Sequence, residues 1–533
     1  MRRFACLLLV AACLPAQEKP FDTVGRIKVE AFQNSKVMEE LSFLSDLYGP
    51  RLTGSPEFVQ AVDWAVSRLK EYGLTNVHTE KWGPFGRAWS LEGYSLEMIS
   101  PRYSHLTAVP LAWSASTNGV LTGEAFYAPI ESTNSIDIEK DREAFHKYEA
   151  KWKGKLRGKI VLVSEPPVIE PPTRPSFRRL TDADLAEISQ APDPFRLPAQ
   201  SLDDIKMPSD PGELGKLVSH LPSSIFFQLF DKYKAFGDER GRFFTDEGAA
   251  AVIRADERAH NGLVFAEAAG SHLSKDPLAP PTFVVTEEQY SRMTRLIESK
   301  HIPVLRLNVA AKSSNTDVDG MNIIGEIRGE TKPDEVVMIG AHFDSWHAAT
   351  GATDNGAGSA VMIEVMRILK AAHIKLDRTV RIGLWSGEEQ GLYGSRAYVK
   401  SHFGPELDKF DVYLNLDNGS GKIRGVYLQG NDAARPLFEA ALQPFHDMGA
   451  TAVTLRNTGG TDHLSFDSVG LPGFQFIQDP LDYGTITHHS AADAYSHAVP
   501  EDLMQAAAVI ASVVSDFANQ PQQFPRKPQA MQP

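Results

Sequence analysis

The chain has 533 residues, and 54 Lys and Arg against 68 Asp and Glu give it a formal net charge of −14. This length exceeds what one hydrophobic core usually holds and predicts two to four domains. Hydrophobic residues make up 42% and charged residues 23%, which excludes a disordered or fibrous protein. The acidic balance favours solubility and argues against nucleic-acid binding, because phosphate contacts require clustered Lys and Arg.

Residues 1–17 are typical of a signal peptide for export. Met1-Arg2-Arg3 supplies positive charge, Phe4 to Ala12 is a short apolar run, and Ala16 is a small residue at the cleavage point. The run is far shorter than the roughly 20 residues that span a bilayer, and no later segment is long and apolar enough to do so. We therefore expect an exported protein, periplasmic or extracellular, without a transmembrane segment.

Both cysteines, Cys6 and Cys13, lie inside this signal. The processed chain would then have no disulfide and no thiol chemistry. Val10-Ala11-Ala12-Cys13 also resembles a bacterial lipoprotein box, and a lipid on Cys13 would anchor the protein to a membrane. Because the match is loose, we favour the unanchored form.

Both helices and short strands are predicted in the first 309 residues. Residues 36–47 and 57–72 have the apolar spacing of two amphipathic helices, and Ser55 or Thr53 is expected to cap the second. From about residue 106 the sequence pattern favours short strands. Buried strands are predicted in 158–163 and after 248. A proline-rich and then polar, partly helical segment, 166–240, is predicted to be a surface excursion. Residues 282–309 follow as strand, helix, strand.

Regular alternation of strands and helices begins after residue 321. Strands are predicted at 336–340, 380–386, 412–416 and 473–477, and helices at 356–372, 392–401 and 433–448. This alternation predicts an α/β domain with a mixed, mostly parallel central sheet flanked by helices. Ligands of such sheets bind beyond the carboxyl ends of the strands.

Acidic and His residues follow those strands one after another. They are His342 and Asp344 after the first strand, Asp354 in the loop before the next helix, Glu388 and Glu389 after the second strand, Asp417 after the third, and His489 in the last loop region. Carboxylates gathered in this way repel one another, and divalent cations remove that cost. Nitrogen and oxygen ligands without thiolate suit two zinc ions, with manganese or cobalt less favoured.

A carboxylate can bridge two metals that lie about 4 Å apart. We assign Asp354 as the bridge, with His342 and Asp417 on one metal and Glu389 and His489 on the other. A hydroxide shared by the metals would then attack the scissile carbonyl, with Glu388 as the general base. Asp344 and Asp493 are placed to orient the imidazoles of His342 and His489.

Each of these short patterns also has an interpretation that involves no function. A His-x-Asp after a strand, a Glu-Glu pair or an Asp after a strand is usually structural or solvated, and only their joint order points to a metal site. His488 competes with His489 as ligand, and Asp462 and His463 either form a capped turn or line the site. Four other histidines, His347, His373, His402 and His446, are predicted to lie on the surface or at helix ends.

The ordered blocks resemble the co-catalytic di-zinc aminopeptidase family, which includes the aminopeptidase Y, carboxypeptidase Q and glutamate carboxypeptidase group. The matching blocks are Gly340 to Ser345, Asp354 to Gly358, Gly387 to Gly391, Leu416-Asp417 and His489 to Asp493. In the last block His488 stands where the family commonly has Tyr, Ser490 where it has Thr, and Ala494 where it has a final Thr. The resemblance implies the same roles, with Glu388 as base and the other five residues as ligands.

The resemblance also implies a division of the chain. We expect the peptidase domain at 22–105 and 306–518, a strand-rich, protease-associated-like insert at 106–305, and a flexible tail at 519–533. The implied activity is a secreted zinc exopeptidase that acts on short peptides, an aminopeptidase or a carboxypeptidase Q-like dipeptidase. A homodimer is an arrangement that the sequence leaves open.

Three other functions compete on the same residues. A hydrolase of a non-peptide amide, such as an acylated amino acid, would share every catalytic residue. An inactive binding homologue would lack ligands, and a one-zinc glutaminyl cyclase relative would not need the full two-metal set. The residues themselves indicate metal-assisted amide hydrolysis, and they do not indicate which peptide end is recognised.

Overall fold

In the computed structural model, residues 20–527 are described, except for 134–137, 168–174, 191–220, 222, 257, 259–261 and 403–406. The predicted signal peptide with Cys6 and Cys13, and residues 528–533 of the predicted tail, lie outside the described residues.

Twelve helices and fourteen strands are numbered along the described part of the chain. The helices are α1 (Pro20–Gln33), α2 (Val37–Ser42), α3 (Pro56–Glu71), α4 (Ile138–Trp152), α5 (Asp182–Ser189), α6 (Ser223–Asp246), α7 (Glu287–Glu298), α8 (Ala357–Ala371), α9 (Tyr393–His402), α10 (Arg435–Leu442), α11 (His463–Asp467) and α12 (Pro500–Ala518). The strands are β1 (Thr75–Ser100), β2 (Ser104–His105), β3 (Ala108–Pro110), β4 (Leu121–Tyr127), β5 (Ile160–Leu162), β6 (Ala251–Ala255), β7 (Thr282–Val285), β8 (Val304–Ile327), β9 (Lys332–His342), β10 (Arg378–Trp385), β11 (Phe410–Asn415), β12 (Ile423–Tyr427), β13 (Ala452–Thr454) and β14 (Gly473–Gln478).

The central sheet is mixed and mostly parallel, as predicted. Strands follow the order β13-β12-β14-β11-β9-β10-β8 through residues 306–518, the predicted catalytic part, and continue as β4-β5-β6-β7-β3 in the predicted insert. β9 is parallel to both β10 and β11, and β11 is parallel to β14. The carboxyl ends of these four strands therefore meet at one edge of the sheet.

Two buried helices, α8 and α12, form the centre of the largest hydrophobic core. α8 is buried from Ala357 to Leu369, and α12 has a nearly continuous buried run from Gln505 to Ser515. A helix that is apolar on every side is a core helix. Over the described ranges, the structure has no helix that combines the length and the apolar character required to cross a membrane.

A long antiparallel ribbon of β1 and β8 joins the two parts of the sheet. One end of β8 pairs with β10, and its other end pairs with β4. The sequence analysis does not predict β1, because Gly83, Pro84, Gly86 and Gly93 interrupt its alternating pattern. The structure accommodates several of these residues at register shifts between β1 and β8, where β-bulges tolerate them.

The prediction that 166–240 is a surface excursion is wrong for its described C-terminal part. Leu221, Ile225 and Phe226 form a buried cluster with Leu392 and Leu464 of the catalytic part. The Phe226 ring lies so close to Gly459 that a β-carbon there would meet it at 2.1 Å. The N-terminal end of α6 therefore packs against the catalytic part.

The predicted flexible tail and the predicted helix 433–448 also differ from the structure. Phe524 is 5% exposed within the main core, and buried Lys527 forms an ion pair with Asp467, so the chain is packed as far as residue 527. The helix ends at Leu442 and continues as a 3₁₀ segment. Pro444 explains this change, because its nitrogen has no proton for the α-helical hydrogen bond.

His347, predicted to be a surface residue, is buried where the insert meets the catalytic part. It is 8% exposed, and its Nε2 donates to the Pro110 carbonyl at 2.7 Å. The edge of its ring contacts Trp89 at a centroid distance of 5.0 Å. Burial lowers the pKa of His347 to about 4, so the imidazole is neutral at pH 7.

Acid should therefore weaken the fold through His347. The unfolded chain takes up a proton near pH 6.5 and the folded chain only near pH 4, so stability is lost as the pH falls through this window. His347→Asn cannot titrate, and its thermal midpoint should fall less steeply between pH 6.5 and 4 than that of the wild type. Differential scanning fluorimetry in chelator checks this, with exposed His446→Asn as the control. Equal slopes for His347→Asn and the wild type would refute the prediction.

Candidate metal centre

Neighbouring parallel strands deliver the predicted site residues to one edge of the sheet. His342 is the last residue of β9, Glu388 and Glu389 follow β10, and Asp417 follows β11. Asp354 lies in the turn Ala352–Gly356 directly before α8, and His489 lies in the loop after β14. The structure brings all of them together.

The two carboxylate oxygens of Asp354 face two different groups. Asp354 Oδ1 lies 3.3 Å from Nε2 of His342, which is 3.6 Å from Oδ1 of Asp417. Asp354 Oδ2 lies 3.4 Å from Nε2 of His489, which is 2.9 Å from Oε2 of Glu389. The five residues thus form two half-sites that share one carboxylate.

His488 lies beside this cluster. Its ring stacks on His489 at a centroid distance of 3.8 Å, and its Nε2 is 4.0 Å from Asp354 Oδ2. The His489 nitrogen is closer to Asp354 and also contacts Glu389. The geometry therefore favours His489 over its neighbour as the inward-facing imidazole.

The donor set fits divalent cations such as zinc. Among the described residues, Asp354 Oδ2 and Glu389 Oε1 are buried side-chain oxygens without a hydrogen-bond partner. Burial, with the neighbouring charge of Asp354, raises the pKa of Glu389 to about 8. Buried oxygens of this kind are costly, and a cation held by imidazole nitrogens and carboxylates would satisfy them.

Glu388 points its carboxylate into the same buried region. Burial raises its pKa well above the usual range, although the nearby His342 opposes the shift. Its backbone nitrogen donates to Asp344 Oδ1 at 3.3 Å, and the nitrogen of Gly387 donates to Thr53 Oγ1 at 2.8 Å. The turn after β10 is thus fixed by Asp344 and by the N-terminal part of the chain.

Asp344 and Asp493 were predicted to orient the imidazoles of His342 and His489. In the structure their carboxylates accept hydrogen bonds from other groups. Nδ1 of His342 lies 3.0 Å from the backbone oxygen of Asp344 and 3.6 Å from its carboxylate, which accepts a hydrogen bond from Thr53. The Asp493 carboxylate accepts from the nitrogens of Thr353 and Asp354 at 2.6 and 3.1 Å. Asp493 therefore supports the turn that carries Asp354, and among the described residues no hydrogen bond or ion pair joins it to His489.

Asp462 and His463 take separate roles behind the site. Asp462 is fully buried, and burial raises its pKa to about 7, while the charge of His342 opposes the shift. His463 turns away, because its Nε2 donates to the carbonyl of Thr458 at 3.1 Å. Asp462 is electrostatically part of the acidic cluster, and His463 is a structural residue.

Comparison with known proteins identifies a family that this part of the chain resembles. Residues 322–514, which contain both half-sites, match Peptidase family M28. The matched segment, residues 322–514, is called the M28 domain for this similarity. The predicted resemblance to co-catalytic zinc exopeptidases is thereby confirmed.

The similarity to known proteins extends beyond the M28 domain. Carboxypeptidase Q of Mus musculus is 25% identical over 497 residues, 93% of this chain and 88% of the relative. Aminopeptidase YwaD of Bacillus subtilis is 29% identical over 206 residues, 37% of this chain and 45% of the relative. The nearly full-length match includes the insert.

Solved structures share the fold. A peptidase M28 precursor from Shewanella amazonensis superposes with a TM-score of 0.66 at 22% identity, over 96% of this chain and 99% of that one. A zinc aminopeptidase from Bacillus subtilis gives a TM-score of 0.53 at 20% identity, over 90% and 93%.

A small pocket opens beside the His489 half of the M28 site. It is lined by Trp346, Ala348, Ala349, Gly351, Asp354, Glu389, His489, Ser490 and Asp493. Small residues and one indole thus surround three carboxylates and an imidazole, and none of these lining residues is Lys or Arg.

Glu267, which lies in the insert, was not predicted from the sequence. Its Oε1 is 2.8 Å from Nδ1 of His489, the nitrogen that faces away from Asp354. The two residues are 222 positions apart, and the surrounding Ala-rich segment matches no motif. No local signal could have identified it.

Arg51 is a second residue of the site that was not predicted from the sequence. Its fully buried guanidinium donates to the carbonyls of Leu44, Phe343, Thr350 and Gly351 at 2.8–3.1 Å. It thereby ties the N-terminal helices to the loop between His342 and Asp354. Burial lowers its pKa to about 10, which the negative charges of Asp493 and Asp344 oppose, and it stays protonated at pH 7.

Replacing Arg51 should destabilise the protein strongly. Arg51→Met leaves buried carbonyls without donors and removes a cation beside the carboxylates, at a cost of roughly 3 kcal/mol or more in the free energy of unfolding. Urea unfolding in chelator measures the change. Arg242→Met, at a side chain that is 61% exposed, is the control and should stay within about 0.5 kcal/mol of wild type. A loss below about 1 kcal/mol for Arg51→Met would contradict this role.

Proposed function

We propose that the chain is an exported exopeptidase that hydrolyses short peptides with two zinc ions. The observation that supports this most is the position of the Asp354 carboxylate, whose Oδ1 faces His342 and whose Oδ2 faces His489. A carboxylate shared in this way is the bridging ligand that a two-metal hydrolase requires.

Each half-site would hold one ion through residues from different strand ends. His342 and Asp417 would bind the first zinc, Glu389 and His489 the second, and Asp354 both. Bound zinc supplies a Lewis acid for the scissile carbonyl and lowers the pKa of a water toward about 7. The unpartnered oxygens of Asp354 and Glu389 support this ligand set.

Glu388 would move the proton. Its carboxylate would accept a proton from the attacking water and donate it to the nitrogen of the leaving amine. The hydrogen bonds of the 387–388 backbone to Thr53 and Asp344 would keep this carboxylate oriented. Its raised pKa in the ion-free site favours proton uptake, and bound cations would lower that pKa.

The pocket favours a short substrate with one free end inside the site. Trp346 and the small side chains of Ala348, Ala349 and Ser490 narrow it, and none of its lining residues is Lys or Arg. A narrow pocket without a cationic side chain suits the ammonium group of a peptide's first residue, and Asp493 is the lining carboxylate that is not assigned to zinc. The nearly full-length similarity to carboxypeptidase Q supports an exopeptidase, and we propose the 106–305 segment as a protease-associated-like insert.

Replacing the two adjacent glutamates should separate catalysis from metal binding. Glu388→Gln should keep two zinc ions per chain and lose about 10²–10⁴-fold in kcat, because only the base is removed. Glu389→Gln, the matched neighbour, should lose zinc as well as activity. Dipeptide hydrolysis and elemental analysis provide the two readouts. Full activity in Glu388→Gln, or wild-type activity that survives removal of the metal by a chelator, would refute the mechanism.

Blocked substrates should reveal which peptide end is recognised. If this pocket binds the substrate ammonium, a free dipeptide and its C-terminal amide should both be cleaved, and the N-acetyl dipeptide should not. Chromatographic analysis of the products over time checks this prediction. Preferential hydrolysis of the N-acetyl dipeptide would reverse the assigned orientation.

A further inference from the structure

We infer that Glu267, outside the M28 domain, is a positioning residue for the second zinc site. This inference rests on the proposed two-zinc function. Glu267 is in the insert, and its carboxylate contacts the imidazole that we assign to the second zinc. The second zinc site would therefore be complete only when the insert is seated on the catalytic part.

The His489 ring lies between two carboxylates. Its Nδ1 is 2.8 Å from Oε1 of Glu267, and its Nε2 is 2.9 Å from Oε2 of Glu389. A neutral imidazole has one N–H and one lone pair. When Nδ1–H donates to Glu267, Nε2 presents its lone pair on the side of Asp354 and Glu389, which is the tautomer that a metal ligand requires.

The backbone on either side of Glu267 also holds the His489 loop. The nitrogen of Ala266 donates to the His489 carbonyl at 3.0 Å, and the nitrogen of Ala491 donates to the Val264 carbonyl at 2.8 Å. His489 has a φ of +57°, a left-handed conformation that non-glycine residues seldom adopt. The insert therefore stabilises a strained backbone at the ligand itself.

Glu267 is in turn fixed within the insert. The nitrogen of Ala112 donates to its carbonyl at 2.9 Å, and the nitrogen of Ala269 donates to the Ala112 carbonyl at 2.8 Å. Nη2 of Arg258 lies 3.7 Å from Oε1 of Glu267 and favours its charged form. Although the Glu267 side chain is 51% exposed, its backbone cannot move independently of the insert.

A carboxylate that holds the outer nitrogen of a metal-binding histidine typically accounts for about 10–100-fold in metal affinity. Because linkage is reciprocal, zinc in the second site should also tighten the contact between segment 264–267 and segment 489–491. The first site, with His342 and Asp417, has no direct contact with Glu267 among the contacts described and should be unaffected.

Metal competition tests the inference on the full-length chain. Zinc titration of the apoprotein against a chromophoric chelator is compared for wild type, Glu267→Ala, Glu267→Gln and Glu298→Ala, the last a control at an exposed carboxylate in α7 of the insert. Glu267→Ala should bind one of its two zinc ions about 10–100-fold more weakly and the other unchanged. Glu267→Gln keeps an acceptor and should lose less, and Glu298→Ala should match wild type.

Hydrogen exchange provides a readout that does not depend on activity. Zinc should slow amide exchange in segments 264–267 and 489–491 of the wild type, and should do so less in Glu267→Ala. If Glu267→Ala does not fold, Glu267→Gln decides, because a weakened second zinc is still expected there.

The outcomes separate this inference from the proposed function. A wild type that binds fewer than two zinc ions would overturn both. Two ions in wild type with both affinities unchanged in the Glu267 variants would overturn the inference alone. Equal weakening of both sites, together with a lowered thermal midpoint, would also overturn it, because Glu267 would then be only structural.

Discussion

Buried negative charge at one edge of the sheet is the constraint on which the site depends. Carboxylates from the ends of neighbouring strands share a buried region, where Asp354 Oδ2 and Glu389 Oε1 have no hydrogen-bond partner. Such a cluster is unstable unless positive charge compensates it. Two imidazoles and the buried Arg51 compensate part of the charge, and the proposed zinc ions would compensate the rest. Binding of these ions would therefore be coupled to folding.

A second layer of contacts fixes the positions of the clustered residues. Asp493 fixes the turn that carries Asp354, and Asp344 and Thr53 fix the turn that carries Glu388. Arg51 fixes the loop between His342 and Asp354. These partners come from the N-terminal helices, the M28 domain and, through Glu267, the insert. The proposed ligands lie in one segment, but the groups that orient them come from the whole chain.

The site's inner residues could be predicted from the sequence because their signals are local. A buried strand followed directly by His342-Phe343-Asp344, or by Glu388-Glu389, is recognisable within a few residues, and parallel strands place such ends at the same edge. The central α/β architecture follows from the same periodicity. The choice between His488 and His489 required the ring positions, since both have the same sequence context.

Most of the missed features are non-local. Glu267, Arg51 and the packing of Phe226 and Phe524 depend on contacts between residues far apart in sequence, which no local pattern encodes. Strand β1 was missed for a different reason, because glycines and a proline break its alternation where the ribbon bulges. His347 was misjudged because its surroundings come from the insert and from β1, two elements whose placement only the tertiary structure reveals.

The β1–β8 ribbon explains how the insert can contribute to a metal site without belonging to the M28 domain. β8 is one continuous strand that pairs with β10 at the site and with β4 in the insert. A paired ribbon resists bending within the sheet plane, so it limits how far the insert can move relative to the strand ends. The Pro110 contact of His347 and the Val264 and Ala266 contacts of the His489 loop are then held at a fixed distance from β9. A separately hinged insert could not hold a histidine ring to within a hydrogen bond, and this one can because the two parts share a strand.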